Sequence, residues 1–211
     1  MATKATETAA PLVPDRPTIE ALQEAAAGCQ ACDLWKTGTQ TVFGDGTRHA
    51  RVVFIGEQPG DEEDREGRPF VGPAGRLLDR ALTDAGIDRS QVYVTNAVKH
   101  FKWVGKGKKR IHAKPSAREM RACKPWLDAE LRVLDPDVIV VLGATAAQAL
   151  LGPKFLVSQR RGEFIDAPGG GRVFATVHPS SVLRAQDDEE RRVAYAAFVD
   201  DLRRLRAGLS D

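Results

Sequence analysis

The chain has 211 residues, 42% of them hydrophobic and 28% charged, enough to bury one core as a single domain, and its net charge of +2 does not by itself point to nucleic acid. Three cysteines make no disulfide framework, and neither an apolar leader nor a run of bilayer length is present. A monomeric, cytoplasmic protein with no membrane contact is expected.

Residues 1–16 are rich in Ala, Thr and Pro without periodicity, and read as a flexible tail ahead of one domain over 17–211. Thr18 stands where a helix N-cap belongs, and Glu20 places a negative charge in the first turn; Ala21 denies the cap its reciprocal half. That helix delivers Cys29-Gln30-Ala31-Cys32, a spacing open to a redox pair, a zinc half-site or an iron–sulfur half-site. The redox reading is the weakest, since no strand precedes the pair. Residues 52–55 form a short apolar strand ending at Gly56, in a turn that carries Glu57, Gln58 and Asp61. A charged excursion over 61–68 follows, then Phe70. Gly72-Pro73-Ala74-Gly75 opens a helix reaching 85, and its free N–H groups suit an anion such as phosphate.

A strand over 92–95 delivers Asn96. Residues 101–112 read as a flexible basic loop, loosened by Gly105 and Gly107, with Phe101 and Trp103 interleaved as in segments that track a single strand. A helix from 115 or 116 to 132 carries Cys123 and is expected to kink or break at Pro125. Residues 138–142 are an uninterrupted apolar strand, followed by a short helix ending near 152. A strand over 173–177 is capped by His178-Pro179-Ser180-Ser181, and a last helix spans 188–205. Strands alternating with helices predict an α/β fold, a four-stranded, mainly parallel sheet between helices on both faces.

Three groupings carry chemistry. Glu57, Gln58, Asp61, Asn96 and His178 all stand at strand ends of like polarity, where open α/β sheets place ligand sites. Between Lys99 and Lys124 there are ten Lys or Arg against one acid, Glu119, an asymmetry suited to a phosphate-facing surface or to an ordinary solvated loop. Cys29, Cys32 and Cys123 lack one ligand for a four-ligand shell, and His100 is the natural fourth. By ligand type alone, such a set suits structural zinc best.

The words GEQPG and GRPFVGPAG, with Asn96-Ala97-Val98-Lys99-His100 and HPSS, resemble the uracil-DNA glycosylases, above all the iron–sulfur type-4 enzymes and their UdgX relatives. The resemblance spans about residues 18–205, with every motif in order. It implies a [4Fe–4S] cluster on Cys29, Cys32, His100 and Cys123, although the related motif ends in Cys where His100 stands. It implies that Asn96 and Gln58 read a flipped uracil, that Phe70 stacks on it and that His178 hydrogen-bonds its O2. Gly56 and Ser180 join the substrate site, and Glu57 and Asp61 supply negative charge near the sugar C1′. Lys108-Lys109-Arg110-Ile111-His112 is similar to the UdgX loop KRRIH, in which Arg110 contacts substrate and the histidine bonds covalently to C1′ once uracil leaves.

The expected function is thus uracil excision from single- or double-stranded DNA, with free uracil as product and self-trapping through His112, held by Glu57. An ordinary turnover glycosylase and a non-catalytic iron–sulfur or zinc DNA-binding module are the other readings. One departure stands out: Gly60 occupies the position of the Tyr that blocks thymine in the best-known family members.

Overall fold

The computed structural model describes residues 8–167 and 170–209. Its helices are α1 (Ile19–Ala27), α2 (Asp61–Glu66), α3 (Pro73–Ala85), α4 (Ala117–Leu134), α5 (Gly143–Leu151), α6 (Val157–Arg160), α7 (Pro179–Leu183) and α8 (Asp188–Ala207). The strands are β1 (Asp45–Gly46), β2 (Val52–Gly56), β3 (Val92–Asn96), β4 (Trp103–Lys106), β5 (Lys109–His112), β6 (Val138–Leu142), β7 (Glu163–Asp166) and β8 (Arg172–Thr176). Six of them form one sheet in the order β1-β3-β2-β6-β8-β7, and β4 and β5 form a separate hairpin.

The four expected strands are the parallel centre of that sheet, β3-β2-β6-β8. Two antiparallel edge strands extend it, which corrects the expected count of four. β1 is two residues long and includes a glycine, and β7 is largely open to solvent, so neither carries the apolar run that marks a central strand.

Parallel strands buried on both faces need cover on both sides. On one face Phe54, Val94, Val140 and Phe174 pack with Leu78 and Leu82 of α3 and Phe198 and Leu202 of α8. On the other, Val53, Ile55, Val141 and Ala175 pack against Leu127 of α4 and Ala146 and Ala147 of α5. A third cluster lies beyond the sheet, where Leu22 and Ala26 of α1 meet Trp126 and Ala129 of α4 around Cys29 and Cys123. Residues 1–7 of the expected tail lie outside the described residues. Ala9 is buried in the third cluster and donates its N–H to the Ala122 carbonyl at 2.8 Å.

Pro125 does not break α4, which runs on from Ala117 to Leu134. Proline forfeits one backbone bond, but Ala122, Cys123, Trp126 and Leu127 are buried around it, and packing holds the helix through the gap. Thr18 caps α1 by accepting from the Ala21 N–H at 3.1 Å. The 61–68 excursion is not a loop throughout: residues 61–66 are α2, and its Glu63 accepts from the Gly60 N–H at 2.9 Å.

One polar knot lies inside the fold. Lys99, counted with the basic surface from its sequence position, is buried and paired with Glu130 of α4. Its ammonium also donates to Thr95 Oγ1 at 2.6 Å and to the Asn96 carbonyl at 2.9 Å. Glu130 accepts further from Tyr93 Oη at 2.9 Å, Thr95 Oγ1 at 3.0 Å and the Gly44 N–H at 3.2 Å. Removing one partner of a buried pair strands the other. Lys99→Met should cost about 3–5 kcal/mol, and adding Glu130→Gln should recover part of it. Urea denaturation of the three proteins checks this, and an undiminished Lys99→Met midpoint would refute it.

Candidate active site

Because β2, β3, β6 and β8 are parallel, their carboxyl ends share one edge of the sheet. Register pairs Gly56 with Asn96 and Leu142 with Thr176, so Glu57, Asn96, Gly143 and His178 arrive together. A side chain at Gly56 would overlap the Asn96 amide and the Phe70 ring; glycine lets both close on the strand end. Asn96 is buried, and its amide has no hydrogen-bond partner among the described residues.

Phe70 is held at φ 57°, uncommon for a bulky side chain, and Gly75 permits it, since a Cβ there would collide with the Phe70 carbonyl. The Phe70 ring lies 6.2 Å from His178, centroid to centroid, at 29° between planes. His178 caps α7, and its Nδ1 accepts from the Ser180 N–H at 3.1 Å, with Ser180 Oγ at 2.8 Å. Arg184 donates to that oxygen at 3.0 Å, so the hydroxyl proton turns toward Nδ1. The ring proton therefore sits on Nε2, which is left as a donor. Burial pushes the His178 pKa down to about 4, against the pull of Glu57, so the imidazole is neutral at physiological pH.

Glu57 faces His178 across this edge. Its Oε1 lies 3.2 Å from His112 Nε2, and its Oε2 accepts from Thr145 Oγ1 of α5. Burial works against its ionisation, but the hydrogen bonds from His112 and Thr145 outweigh that penalty and hold its pKa below the usual value. Thr145 escaped sequence analysis because a threonine in an apolar helix start carries no local signal.

The 101–112 segment is an ordered hairpin. Gly107, at φ 59°, opens its two-residue turn, where a left-handed conformation is needed. Cross-strand pairing puts Trp103, Arg110 and His112 on one face and Val104, Ile111, Lys106 and Lys109 on the other. The first face is tied down: Trp103 Nε1 donates to the Thr37 carbonyl at 2.9 Å, and Arg110 pairs with Asp61 and, at 2.6 Å, with buried Asp64. The Arg110 guanidinium also lies 5.3 Å from the Phe101 ring centroid and 5.7 Å from that of Trp103.

Several expectations change as a result. Phe101 is core and Trp103 a strut, so neither offers itself as a stacking platform for nucleic acid. Arg110 and Asp61 hold each other, which anchors the hairpin to α2. Gln58 is also committed: its amide donates to the Lys102 and Ala113 carbonyls, each at 3.1 Å, and accepts from the Lys102 N–H at 3.1 Å. Both amide protons are thus spent on clasping the base of the hairpin. The phosphate-like site expected at the start of α3 is filled from within, because Glu63 accepts from the Gly72 N–H at 2.7 Å.

The cysteines gather in the third cluster. Cys29 and Cys123 are buried and Cys32 is half-buried. Trp126 Nε1 donates to Cys29 Sγ at 3.3 Å and the Lys99 N–H to Cys123 Sγ at 3.2 Å. Burial pushes the Cys123 thiol up to about 12, so a thiolate there needs a positive centre as well as these donors. His100 Nε2 is 3.1 Å from Thr41 Oγ1, whose own proton goes to the Ala26 carbonyl. Nε2 therefore carries the ring proton and Nδ1 keeps its lone pair, the arrangement of a ligating histidine steadied by a second shell. Among the described residues, no three His, Cys, Asp or Glu side chains already form a shell for a single metal ion. The donor set nonetheless fits a soft, buried centre.

Fold and site together define an α/β protein with an acid–imidazole site at its strand ends and a cysteine-rich pocket beside it. The sequence pattern described as "Uracil DNA glycosylase superfamily" matches residues 43–203. A "Type-4 uracil-DNA glycosylase" of Thermotoga maritima is 42% identical over 176 residues, covering 83% of this chain and 88% of that protein. One of Archaeoglobus fulgidus is 38% identical, with 77% and 82% covered, and a "Type-5 uracil-DNA glycosylase" of Thermus thermophilus is 32% identical, with 76% and 77% covered. This chain belongs to the uracil-DNA glycosylase superfamily.

The Arg110 anchor has a direct test. Arg110→Ala leaves Asp61 and Asp64 without their cation and should cost about 1–3 kcal/mol, felt first in the hairpin. Amide exchange across 103–112 should quicken well before the sheet responds; unchanged exchange would show that the hairpin does not depend on this contact.

Proposed function

We propose that this chain is a uracil-DNA glycosylase that excises uracil and then holds the abasic site covalently through His112. The observation that carries this reading is the 3.2 Å contact between the imidazole of His112 and Glu57, directly beside Asn96, Phe70 and His178. The flipped base stacks on Phe70, its edge is read by the unpartnered Asn96 amide, and O2 receives the Nε2–H of neutral His178. Gln58, with its amide committed to the hairpin, supports that loop and leaves the base to Asn96.

The N-glycosidic bond breaks with its electron pair leaving on uracil, which takes a proton from solvent on release, while C1′ becomes oxocarbenium-like. The charge of Glu57 favours that cation. The His112 nitrogen not engaged by Glu57 then forms the bond to C1′, and the substituted imidazolium stays against the carboxylate. A water in place of His112 would give ordinary turnover, the reading that the Type-4 relatives support.

Cys29, Cys32, Cys123 and His100, through Nδ1, would hold a [4Fe–4S] cluster. Held there, it would tie α1, α4 and the residues after β3 together as a structural centre, and bond cleavage is left to the strand-end residues.

Two predictions follow from these assignments. On denaturing gels with uracil-containing DNA, His112→Ala should lose the protein–DNA adduct while still releasing uracil, and Glu57→Gln should slow adduct formation roughly 10–100-fold. A detergent-stable adduct formed by His112→Ala would overturn the nucleophile assignment. Purified protein should be yellow-brown and contain about four iron atoms per chain with matching sulfide, a state that His100→Cys should preserve. Stoichiometric zinc without iron would refute the cluster.

A further inference from the structure

We propose that Thr145 is a positioning residue of this site, holding the Glu57 carboxylate in the rotamer and ionised state that present it to His112. The proposal rests on the reading of His112 and Glu57 given above. The two carboxylate oxygens are divided between two donors: Oε1 faces His112 Nε2 at 3.2 Å, and Oε2 accepts from Thr145 Oγ1. The hydroxyl can only donate to a carboxylate, so the bond has one sense. Thr145 is buried, and lies in the first turn of α5, which follows directly from β6. Gly143, at φ 84°, makes that turn beside His178, where a Cβ would come within 3.0 Å of the His178 Cβ. The carboxylate is therefore braced from the sheet's interior on one side, and its other side is free to follow the histidine.

The brace has work to do because the His112 contact alone is weak as an orienting device. The His112 side chain is 50% exposed at the hairpin's end, whereas Glu57 is only 21% exposed. A half-buried carboxylate with a single exposed partner could rotate away or take up a proton. A second donor from a buried helix start opposes both. The titratable and charged groups facing Glu57 are His112 on the hairpin and His178 at the start of α7, with Arg184 acting on His178 behind it.

The test uses the full chain with Thr145→Val, which keeps shape and loses the donor, and Thr145→Ser, which keeps the donor. Glu57 ionisation is read without any reaction, by carbon NMR titration of a labelled carboxyl. Removing a donor to the ionised form raises the pKa, so Thr145→Val should move the Glu57 titration up by about one unit, and Thr145→Ser should return it. On uracil-containing DNA, single-turnover adduct formation by Thr145→Val should fall about tenfold at neutral pH. Its acid limb should shift upward with the titration, with DNA affinity unchanged. Should the wild-type chain form no adduct and release no uracil, the function proposed above fails, and the NMR titration still judges Thr145. An unshifted Glu57 titration in Thr145→Val, or a loss that Thr145→Ser does not restore, overturns the proposal.

Discussion

Lys99 and Glu130 are both shut away from solvent, and a charge pair so placed is tolerable only when its remaining protons and lone pairs are also met. Here they are met by the strand that ends at the site. The lysine ammonium grips the Asn96 carbonyl and Thr95, and the same residue's N–H meets Cys123 Sγ. Glu130 gathers Tyr93 and the Gly44 backbone from the side of β1. One ion pair thus fixes the end of β3, the middle of α4 and the wall of the cysteine pocket. The Asn96 backbone and the Cys123 thiol are both tied to it.

The hairpin is governed by a second balance of charges. Its sequence is basic, yet its most informative cation, Arg110, faces inward to Asp61 and Asp64. Gln58 clasps its base and Trp103 leans on Thr37, so His112 rides on a ribbon fastened at three points. Glu57 meets it from the sheet, with Thr145 behind. The placement of His112 against Glu57 thus comes from several rigid supports.

Much of this was legible in advance. The parallel centre of the sheet and the strand-end placement of Glu57, Asn96 and His178 follow from apolar runs and from the order of motifs, while the contact of His112 with Glu57 was expected only from the resemblance of its loop. What was illegible has a common cause. Lys99, Arg110, Gln58 and Glu63 are polar residues that the sequence cannot assign to solvent or interior. Each finds its partner 9 to 49 residues away, at Glu130, Asp61, Lys102 and Gly72. Local pattern registers polarity but not the partner that satisfies it. Pro125 and the edge strands failed differently, since local rules were overridden there by packing and by pairing.

The separations along the chain have a consequence for how the protein matures. Glu57 and Thr145 are 88 residues apart, Trp103 and Thr37 66, and Gln58 and Ala113 55. Contacts of that span close late, after the entropy of long loops has been overcome. The Glu57 carboxylate therefore gains its Thr145 donor only once α5 has joined the sheet. A nascent chain that ends before α5 carries Glu57 and His112 without that brace.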